Sequence, residues 1–229
     1  MTAPLSVIVF DVNETLSDMS PMGGRFAAVG APPELAKLWF ASLLRDGFAL
    51  AAAGSNQDFA AIGAAVLREL FAGAELNRPL DDAVQHVMDG FGSLDVHPDV
   101  PDGIRSLADA GYRLVTLSNG SARIAGKLLG DAGIRESFEA LLSVEEAPAW
   151  KPARASYEYA ADSLGVESGE MLLVAVHPWD IHGAARAGLR TAWLNRSGGG
   201  YPAHFEAPDI TVAALTELPA ALGSSRGIL

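Results

Sequence analysis

The sequence predicts an α/β fold with a doubly wound parallel sheet and a helical cap subdomain inserted after the first strand. Three observations support this fold class. Short, β-branched apolar segments recur along the chain, and helical patterns with polar starts and glycine stops separate most of them. One long stretch near the N-terminus contains helical patterns alone.

Four segments are predicted to be strands buried on both faces, because each is short and nearly all apolar. They cover residues 5–10, 112–117, 171–176 and 190–195. Helical patterns, each followed by a glycine, cover residues 101–110, 122–132, 153–164 and 179–187. Strands that alternate with helices of this length indicate a parallel sheet covered on both faces.

The stretch 17–96 is different, since it has helical patterns near 33–52, 58–74 and 81–91 and no convincing strand. An all-helical insert directly after the first strand is typical of a cap over the carboxyl ends of the sheet, where ligands bind in open α/β folds. We therefore expect a core domain of residues 1–16 and 97–229 and a cap subdomain of residues 17–96.

Composition narrows the classes of partner. The 229 residues are 49% hydrophobic, which is ample for a buried core, and the net charge of −12 argues against nucleic acid or an anionic membrane surface as the main partner. The absence of cysteine excludes disulfides, thiolate metal sites and cysteine nucleophiles. The N-terminus does not resemble a signal peptide, and no apolar run approaches the length of a membrane span. We expect a cytoplasmic protein that acts on a small molecule.

Four polar positions follow predicted strands or lie in a loop where chemistry is expected. Asp11, after the first strand, can be a nucleophile, a metal ligand or a cap for the next turn. Ser118 and Asn119 begin a Ser-Asn-Gly sequence that also describes an ordinary turn. Lys151, before a helix-starting proline, either reaches over the cleft or lies in solvent. Asp180 either acts in the cleft or caps its own helix.

Taken together, the type, order and spacing of these residues resemble the haloacid dehalogenase superfamily over essentially the whole chain. Within it, Ser118-Asn119-Gly120, Lys151-Pro152 with Tyr157, and Trp179-Asp180 resemble the L-2-haloacid dehalogenases, the type II group. The resemblance implies a Rossmann-like core. It also implies metal-independent, cofactor-free hydrolysis of a short 2-haloalkanoic acid to the 2-hydroxy acid and, by analogy, a homodimer.

Phosphatases of the same superfamily are the first alternative. They place a second aspartate two positions after the nucleophile, where this chain has Asn13, and they hold Mg²⁺ with an acid pair where this chain has only Asp180. Both differences disfavour a Mg²⁺-dependent small-molecule phosphatase. A binding protein that kept the fold and lost turnover is the second alternative, and the intact set of polar residues disfavours it.

The resemblance assigns a role to each matching residue. Asp11 would attack C2 of the substrate and expel the halide, Lys151 would keep Asp11 ionised, and Asp180 would activate the water that cleaves the ester. By the same resemblance, Ser118 would bind the substrate carboxylate, and Asn119 and Phe59 would face the departing halide. Thr15 and Tyr157 would orient the reacting groups. Trp179 would contact the substrate.

The chain departs from this family at three positions. Phe40 replaces the arginine that receives the halide, His177 replaces an asparagine, and Asn13 replaces an aromatic residue. Lys37 shares a helix face with Phe40, but a solvated lysine is the simpler interpretation. We expect Phe40 and Asn13 to contact the substrate and His177 to orient or deprotonate the hydrolytic water, since its ordinary pKa suits a base.

Overall fold

The computed structural model describes residues 4–225, so the outermost parts of the predicted core domain, 1–3 and 226–229, lie outside the described residues. Its strands are β1 (Val7–Phe10), β2 (Arg113–Ser118), β3 (Ala140–Ser143), β4 (Met171–Ala175), β5 (Arg190–Leu194) and β6 (Ile210–Val212). They form a six-stranded sheet in the order β3-β2-β1-β4-β5-β6, and every pair is parallel. The predicted α/β fold is confirmed.

The helices divide between an insert after β1 and the two faces of the sheet. Within the described residues they are α1 (Met22–Ala27), α2 (Leu35–Ala52), α3 (Phe59–Phe71), α4 (Leu80–Phe91), α5 (Val100–Asp109), α6 (Ala122–Asp131), α7 (Arg154–Leu164), α8 (Pro178–Ala187) and α9 (Leu218–Ser225). In this part of the chain, no helix combines the length and apolarity needed to cross a lipid bilayer.

Alternation along β1 explains the two-sided burial. Ile8 and Phe10 pack in one cluster with residues of α5, α6 and α9, whereas Val7 and Val9 pack in a second cluster with residues of α7 and α8. Successive strand residues point to opposite faces, so a strand covered on both faces must be apolar throughout. This is why the predicted central strands are nearly continuous apolar runs.

Connections diverge from β1, because β2 and β3 extend the sheet in one direction and β4 to β6 in the other. Ligands bind in open α/β sheets at such a switch point, beyond the carboxyl ends of the strands. The first residue after β1 is Asp11, whose backbone N–H donates to the carbonyl oxygen of Val174 in β4 at 3.1 Å. The fold therefore fixes this side chain at the crevice.

We call the segment 17–96, which contains helices α1 to α4, the helical layer. The buried apolar residues of these helices form one cluster, which also takes in Trp150 of the core. An isolated antiparallel bridge between Ser17 and Val96 closes the base of the layer. The layer lies against the loop before α7, where the rings of Phe59 and Trp150 stack with centroids 5.8 Å apart. Gly47 of α2 faces the same indole, and a Cβ there would overlap the ring. A glycine at this position lets α2 approach the core closely.

Two strands and two helices were not predicted. Strands β3 and β6 are the edges of the sheet and have only four and three residues. Because an edge strand is partly exposed, it lacks the continuous apolar run that marks a central strand. Helix α1 has six residues and two glycines, and α9 lies at the carboxyl end, so neither gives a strong helical period.

Candidate active site

Asp11 is the centre of a buried polar cluster at the carboxyl end of β1, and only 3% of the residue is exposed. One carboxylate oxygen, Oδ1, accepts from Lys151 Nζ at 3.0 Å. The other, Oδ2, accepts from Thr15 Oγ1 at 2.6 Å and lies 3.1 Å from His177 Nδ1. Thr15 is held in turn by the backbone N–H of Val176, which donates to its Oγ1. Both oxygens of Asp11 therefore face donors.

Lys151 is fully buried and links the two carboxylates of the site. Its Nζ lies 3.0 Å from Asp11 Oδ1 and 2.6 Å from Asp180 Oδ2. The backbone of Lys151 is clamped by Asn119, whose side-chain oxygen accepts from the lysine N–H at 2.9 Å and whose side-chain amide donates to the lysine carbonyl at 3.1 Å. The Ser-Asn-Gly turn after β2 thus positions the cation from a different strand.

This pairing sets the ionisation of the nucleophile candidate. Burial by itself raises the pKa of the Asp11 carboxyl, but the Lys151 ammonium and the hydrogen bond from His177 outweigh it and hold that pKa well below its usual range. Burial likewise lowers the pKa of Lys151, yet the charges of Asp11 and Asp180 raise it above its ordinary value. Asp11 is therefore a carboxylate, and Lys151 an ammonium, across the physiological range.

Asp180 lies at the start of α8 and is fully buried. Its Oδ2 accepts from Lys151, and its Oδ1 accepts from the Tyr157 hydroxyl at 2.6 Å. Burial and the charge of Asp11 raise the pKa of Asp180 above its ordinary value, although Lys151 and Tyr157 oppose the shift. A Cβ at Gly183 would lie 2.6 Å from the Tyr157 hydroxyl, so this glycine leaves room for the contact.

His177 connects the nucleophile candidate to a second acid. Its Nδ1 lies 3.1 Å from Asp11 Oδ2, and its Nε2 lies 2.9 Å from Glu14 Oε2. Burial lowers the pKa of the imidazole, but the hydrogen bonds to Asp11 and Glu14 outweigh it and raise that pKa to about 9. While Asp11 carries its charge, His177 is therefore an imidazolium at neutral pH.

Glu14 is a residue of this cluster that the sequence did not predict. It has a φ of 61°, a left-handed conformation that residues other than glycine rarely adopt. This turn directs its side chain to His177, which is 163 positions further along the chain. The motif Asp-Val-Asn-Glu-Thr offers one signal, a carboxylate beside the nucleophile, but nothing in it identifies the partner.

Ser118 and Asn13 line the same end of the sheet, around Gly120. Ser118 is 1% exposed, and its Oγ accepts from the Gly120 N–H at 2.9 Å. A Cβ on Gly120 would lie 3.4 Å from the Asn13 side-chain amide. Ser143, a residue that the sequence did not predict, donates to the Gly120 carbonyl at 2.9 Å and holds the turn from the next strand.

The aromatic residues expected at the site form a wall from the helical layer and α8. Phe40 lies 6.4 Å from Phe59 and 6.2 Å from the His177 ring, measured between ring centroids. Trp179 also stacks on His177, with ring centroids 5.0 Å apart. The wall is apolar. Lys37 is exposed, and Arg45, which pairs with Asp46, has a side chain 66% exposed.

A cavity of about 610 Å³ lies beside this cluster, between α1 and α2 on one side and the loop after β5 on the other. Glu14, Phe40 and His177 line it, whereas Asp11 does not. Within residues 4–225, no three His, Asp or Glu side chains are grouped so as to hold a metal ion. The structure thus brings Asp11, Lys151, Asp180, Thr15, His177 and Tyr157 into one network, with Ser118, Asn119 and Asn13 at its edge.

Comparison with known proteins agrees with this geometry. The profile of haloacid dehalogenase-like hydrolases matches residues 5–188, and the chain belongs to this family. An (S)-2-haloacid dehalogenase from Pseudomonas sp. (strain YL) is 31% identical over 91% of this chain and 90% of its own length.

Solved structures of dehalogenases superpose on almost the whole chain. The L-2-haloacid dehalogenase from Xanthobacter autotrophicus is 25% identical, with a TM-score of 0.86, and the alignment covers 98% of this chain and 100% of that one. A dehalogenase with an intermediate complex is 26% identical, with a TM-score of 0.88, over 96% of this chain and 98% of its own.

Proposed function

We propose that this protein hydrolyses a short 2-haloalkanoic acid to the 2-hydroxy acid through an ester on Asp11. One observation carries the proposal: a buried carboxylate at the switch point of the sheet is kept ionised by Lys151 and lies 3.1 Å from His177. A desolvated carboxylate with a low pKa is a ready nucleophile that needs no prior loss of a proton. The names of the relatives, which are 2-haloacid dehalogenases, support the same reaction.

In the first step, a carboxylate oxygen of Asp11 forms a bond to C2 while the carbon–halogen bond breaks, and the halide leaves with the bonding electrons. No proton is transferred, so the step needs an ionised nucleophile and a place for the anion. Asn119 uses one side-chain N–H for the Lys151 carbonyl, and its second N–H remains available to the halide. Phe40, Phe59 and Trp179 supply apolar contact around it.

Ester formation changes the charge next to His177. The two largest influences that raise its pKa include the hydrogen bond to Asp11, which loses its negative charge in the ester. The pKa of His177 therefore falls toward its ordinary value when the ester forms. Glu14 still accepts from Nε2, so the neutral ring presents its lone pair at Nδ1, next to the ester.

The second step follows from this switch. His177, which has lost its proton to solvent on ester formation, accepts a proton from water at Nδ1, and the water oxygen attacks the ester carbonyl carbon. The bond between that carbon and the ester oxygen on C2 breaks, and this oxygen, which came from Asp11, takes the proton of the new Asp11 carboxyl. The hydroxy acid leaves, with Asp11 again a carboxylate and His177 again an imidazolium. His177 lines the cavity beside the site, whereas Asp180 is fully buried and bonds Lys151 and Tyr157. We therefore assign proton transfer to His177 and assign Asp180 to holding Lys151 in place.

The substrate carboxylate is assigned to the Ser118 hydroxyl, the Asn13 amide and nearby backbone N–H groups, because they form the polar edge of the site. We assign the helical layer, residues 17–96, as a cap that excludes water during the first step. The bridge between Ser17 and Val96 at its base and the stacking of Phe59 on Trp150 support this division.

Location and assembly belong to the same proposal. By family resemblance, we expect a homodimer in the cytoplasm. Light scattering on the purified protein checks the assembly, with an expected mass of twice 23.9 kDa. A monomeric mass at micromolar concentration would contradict it.

Halide release from chloroacetate, bromoacetate and both enantiomers of 2-chloropropionate tests the function, with and without EDTA. We expect halide and hydroxy acid in equal amounts and no loss of rate with EDTA. Phosphate release from phosphate esters that requires Mg²⁺, without halide release, would overturn the proposal in favour of a phosphatase. Inactivity with both panels would favour a binding protein.

A further inference from the structure

We propose that the cavity beside His177 binds an apolar, uncharged substituent on C2 of the substrate, so that the enzyme prefers 2-haloacids with a medium-length hydrocarbon chain. The inference rests on the proposed function, and it extends the substrates of the same site from short 2-haloalkanoic acids to longer ones. It goes beyond that function because the reaction at Asp11 by itself needs no such space.

The size of the cavity is the first argument. Its volume of about 610 Å³ lies within the range of roughly 300–1,000 Å³ found for small-molecule sites. Haloacetate or 2-chloropropionate would leave most of it to water. A cavity of this size next to a reaction centre indicates a ligand that extends beyond the reacting carbon.

Continuity with the reaction centre is the second argument. His177 contacts Asp11 on one side and lines the cavity on the other, and Phe40, 6.2 Å from the His177 ring, also lines it. Phe40 makes no hydrogen bond through its ring, so it can turn aside without breaking one. A chain on C2 can therefore leave the site of Asp11 past Phe40 and enter the cavity.

The lining chemistry is the third argument. The wall is mostly hydrocarbon and aromatic, and it comes from both the helical layer and β5: Met19, Met22, Ala36, Ala41, Leu44 and Trp193. Arg196, which also lines the cavity, already donates to Asp99 Oδ1 at 2.8 Å and to the Thr15 carbonyl at 3.0 Å.

The charges on the lining are of both signs, and most of them already have partners. Glu14 bonds His177, Asp18 accepts from the backbone N–H of Ser20, and Arg196 pairs with Asp99. A charged tail would have to compete with these partners, whereas an uncharged hydrocarbon chain gains from burial alone. The lining therefore favours an apolar tail over a second carboxylate or an amine.

Binding of unhalogenated acids tests the subsite without any chemistry. Titration calorimetry with acetate, butanoate, hexanoate and octanoate should show affinity rising up to about fourfold for each methylene that becomes buried, and at least thirtyfold between acetate and octanoate. Ala41→Trp, which places an indole in the cavity from an exposed helix position, should remove at least tenfold of that gain. Ala49→Trp, on the same helix but outside the cavity, is the matched control and should keep the gain.

Turnover of 2-bromo acids with chains of two to eight carbons supplies the second readout, as kcat/KM for halide release. We expect kcat/KM to rise with chain length and the rise to shrink in Ala41→Trp but not in Ala49→Trp. Equal affinity for acetate and octanoate, or the same loss in both variants, would overturn the subsite even if every bromo acid is dehalogenated. A different outcome is octanoate binding that Ala41→Trp weakens and Ala49→Trp does not, together with no halide release from any bromo acid. That outcome would support the subsite and contradict the proposed reaction.

Discussion

The carboxyl ends of the strands and the helical layer contribute opposite chemistry to the same site. The core supplies the charged groups, each fixed by two or more hydrogen bonds: Asp11 after β1, Lys151 in the loop before α7, and His177 and Asp180 at the start of α8. The helical layer supplies Phe40 and Phe59, which make only ring contacts there. In the proposed mechanism the core makes and breaks the bonds, and the helical layer selects the substrate.

Charge balance explains why the charged residues of the site come from the core. Burying ions is costly unless each is paired at good geometry, and two carboxylates here share one ammonium and one imidazolium. The core holds these groups in place, because β1 is paired with a strand on each side and Asn119 clamps the backbone of Lys151. The apolar wall requires no such accuracy, and its residues can vary with the substrate.

The largest effect is expected from removing the nucleophile. Asp11→Asn should lower halide release by about ten-thousandfold or more, because an amide does not form the ester. A halide electrode measures the rate, and Asp109→Asn, at an exposed position of α5, is the control. Residual turnover above about one per cent would contradict the covalent role.

Lys151→Met tests whether the buried ion pairs contribute more to stability than an ion pair at the surface. Removing the ammonium leaves Asp180 without a charged partner and Asp11 with His177 alone, and it should lower the free energy of unfolding by about 3–5 kcal/mol. Urea unfolding measures this. Lys127→Met, which breaks the exposed pair with Asp131, should cost about 1 kcal/mol or less.

The same variant alters the pH profile of the reaction. Without Lys151, burial raises the pKa of Asp11 with less opposition, so activity should gain an acid limb that the wild type lacks above pH 4. In the stability experiment, an equal loss of unfolding free energy in Lys151→Met and Lys127→Met would contradict the expected difference between the buried and the exposed ion pairs.

His177→Asn should slow the second step alone, by about a hundred- to a thousandfold, as expected for a lost general base. Quenched-flow experiments should then show a burst of halide equal to the enzyme concentration, followed by slow turnover. Glu14→Gln should also leave the halide burst intact and slow the turnover that follows it, but by a smaller factor. A variant that loses the burst as well would show that His177 acts in the first step.

His177 should also make stability depend on pH. Its pKa is raised from 6.5 to about 9 in the folded protein, so its contribution of about 3 kcal/mol is fully present below pH 6.5 and is lost as the pH rises through about 9. The difference in unfolding free energy between wild type and His177→Asn should narrow over that interval. A constant difference from pH 6 to pH 10 would contradict an imidazolium in the folded state.

The smallest effect is expected at the apolar wall. Phe40→Leu keeps an apolar side chain next to His177, so kcat/KM for 2-chloropropionate should change by about threefold or less. A loss of thirtyfold or more would mean that the ring itself contributes to the chemistry.

The sequence predicted the ionic half of the site better than its surroundings. Asp11, Ser118 and Asp180 each come shortly after an apolar segment long enough to be recognised as a strand. Because these strands are parallel neighbours, their carboxyl ends lie together and so do the three residues. The pairing of Glu14 with His177 depends on a left-handed turn and joins residues that are 163 positions apart in the chain. The cavity depends on how α2 lies over β5, which no local pattern encodes. The short edge strands β3 and β6 were not predicted, because partial exposure leaves them without a continuous apolar run.

A single turnover in water labelled with ¹⁸O tests the central claim most directly, with enzyme in excess over 2-chloropropionate. The ester mechanism predicts that the first hydroxy acid carries unlabelled oxygen from Asp11, and that a peptide containing Asp11 gains one ¹⁸O. Label in the first product with none in the peptide would contradict it, because water would then have attacked C2 itself.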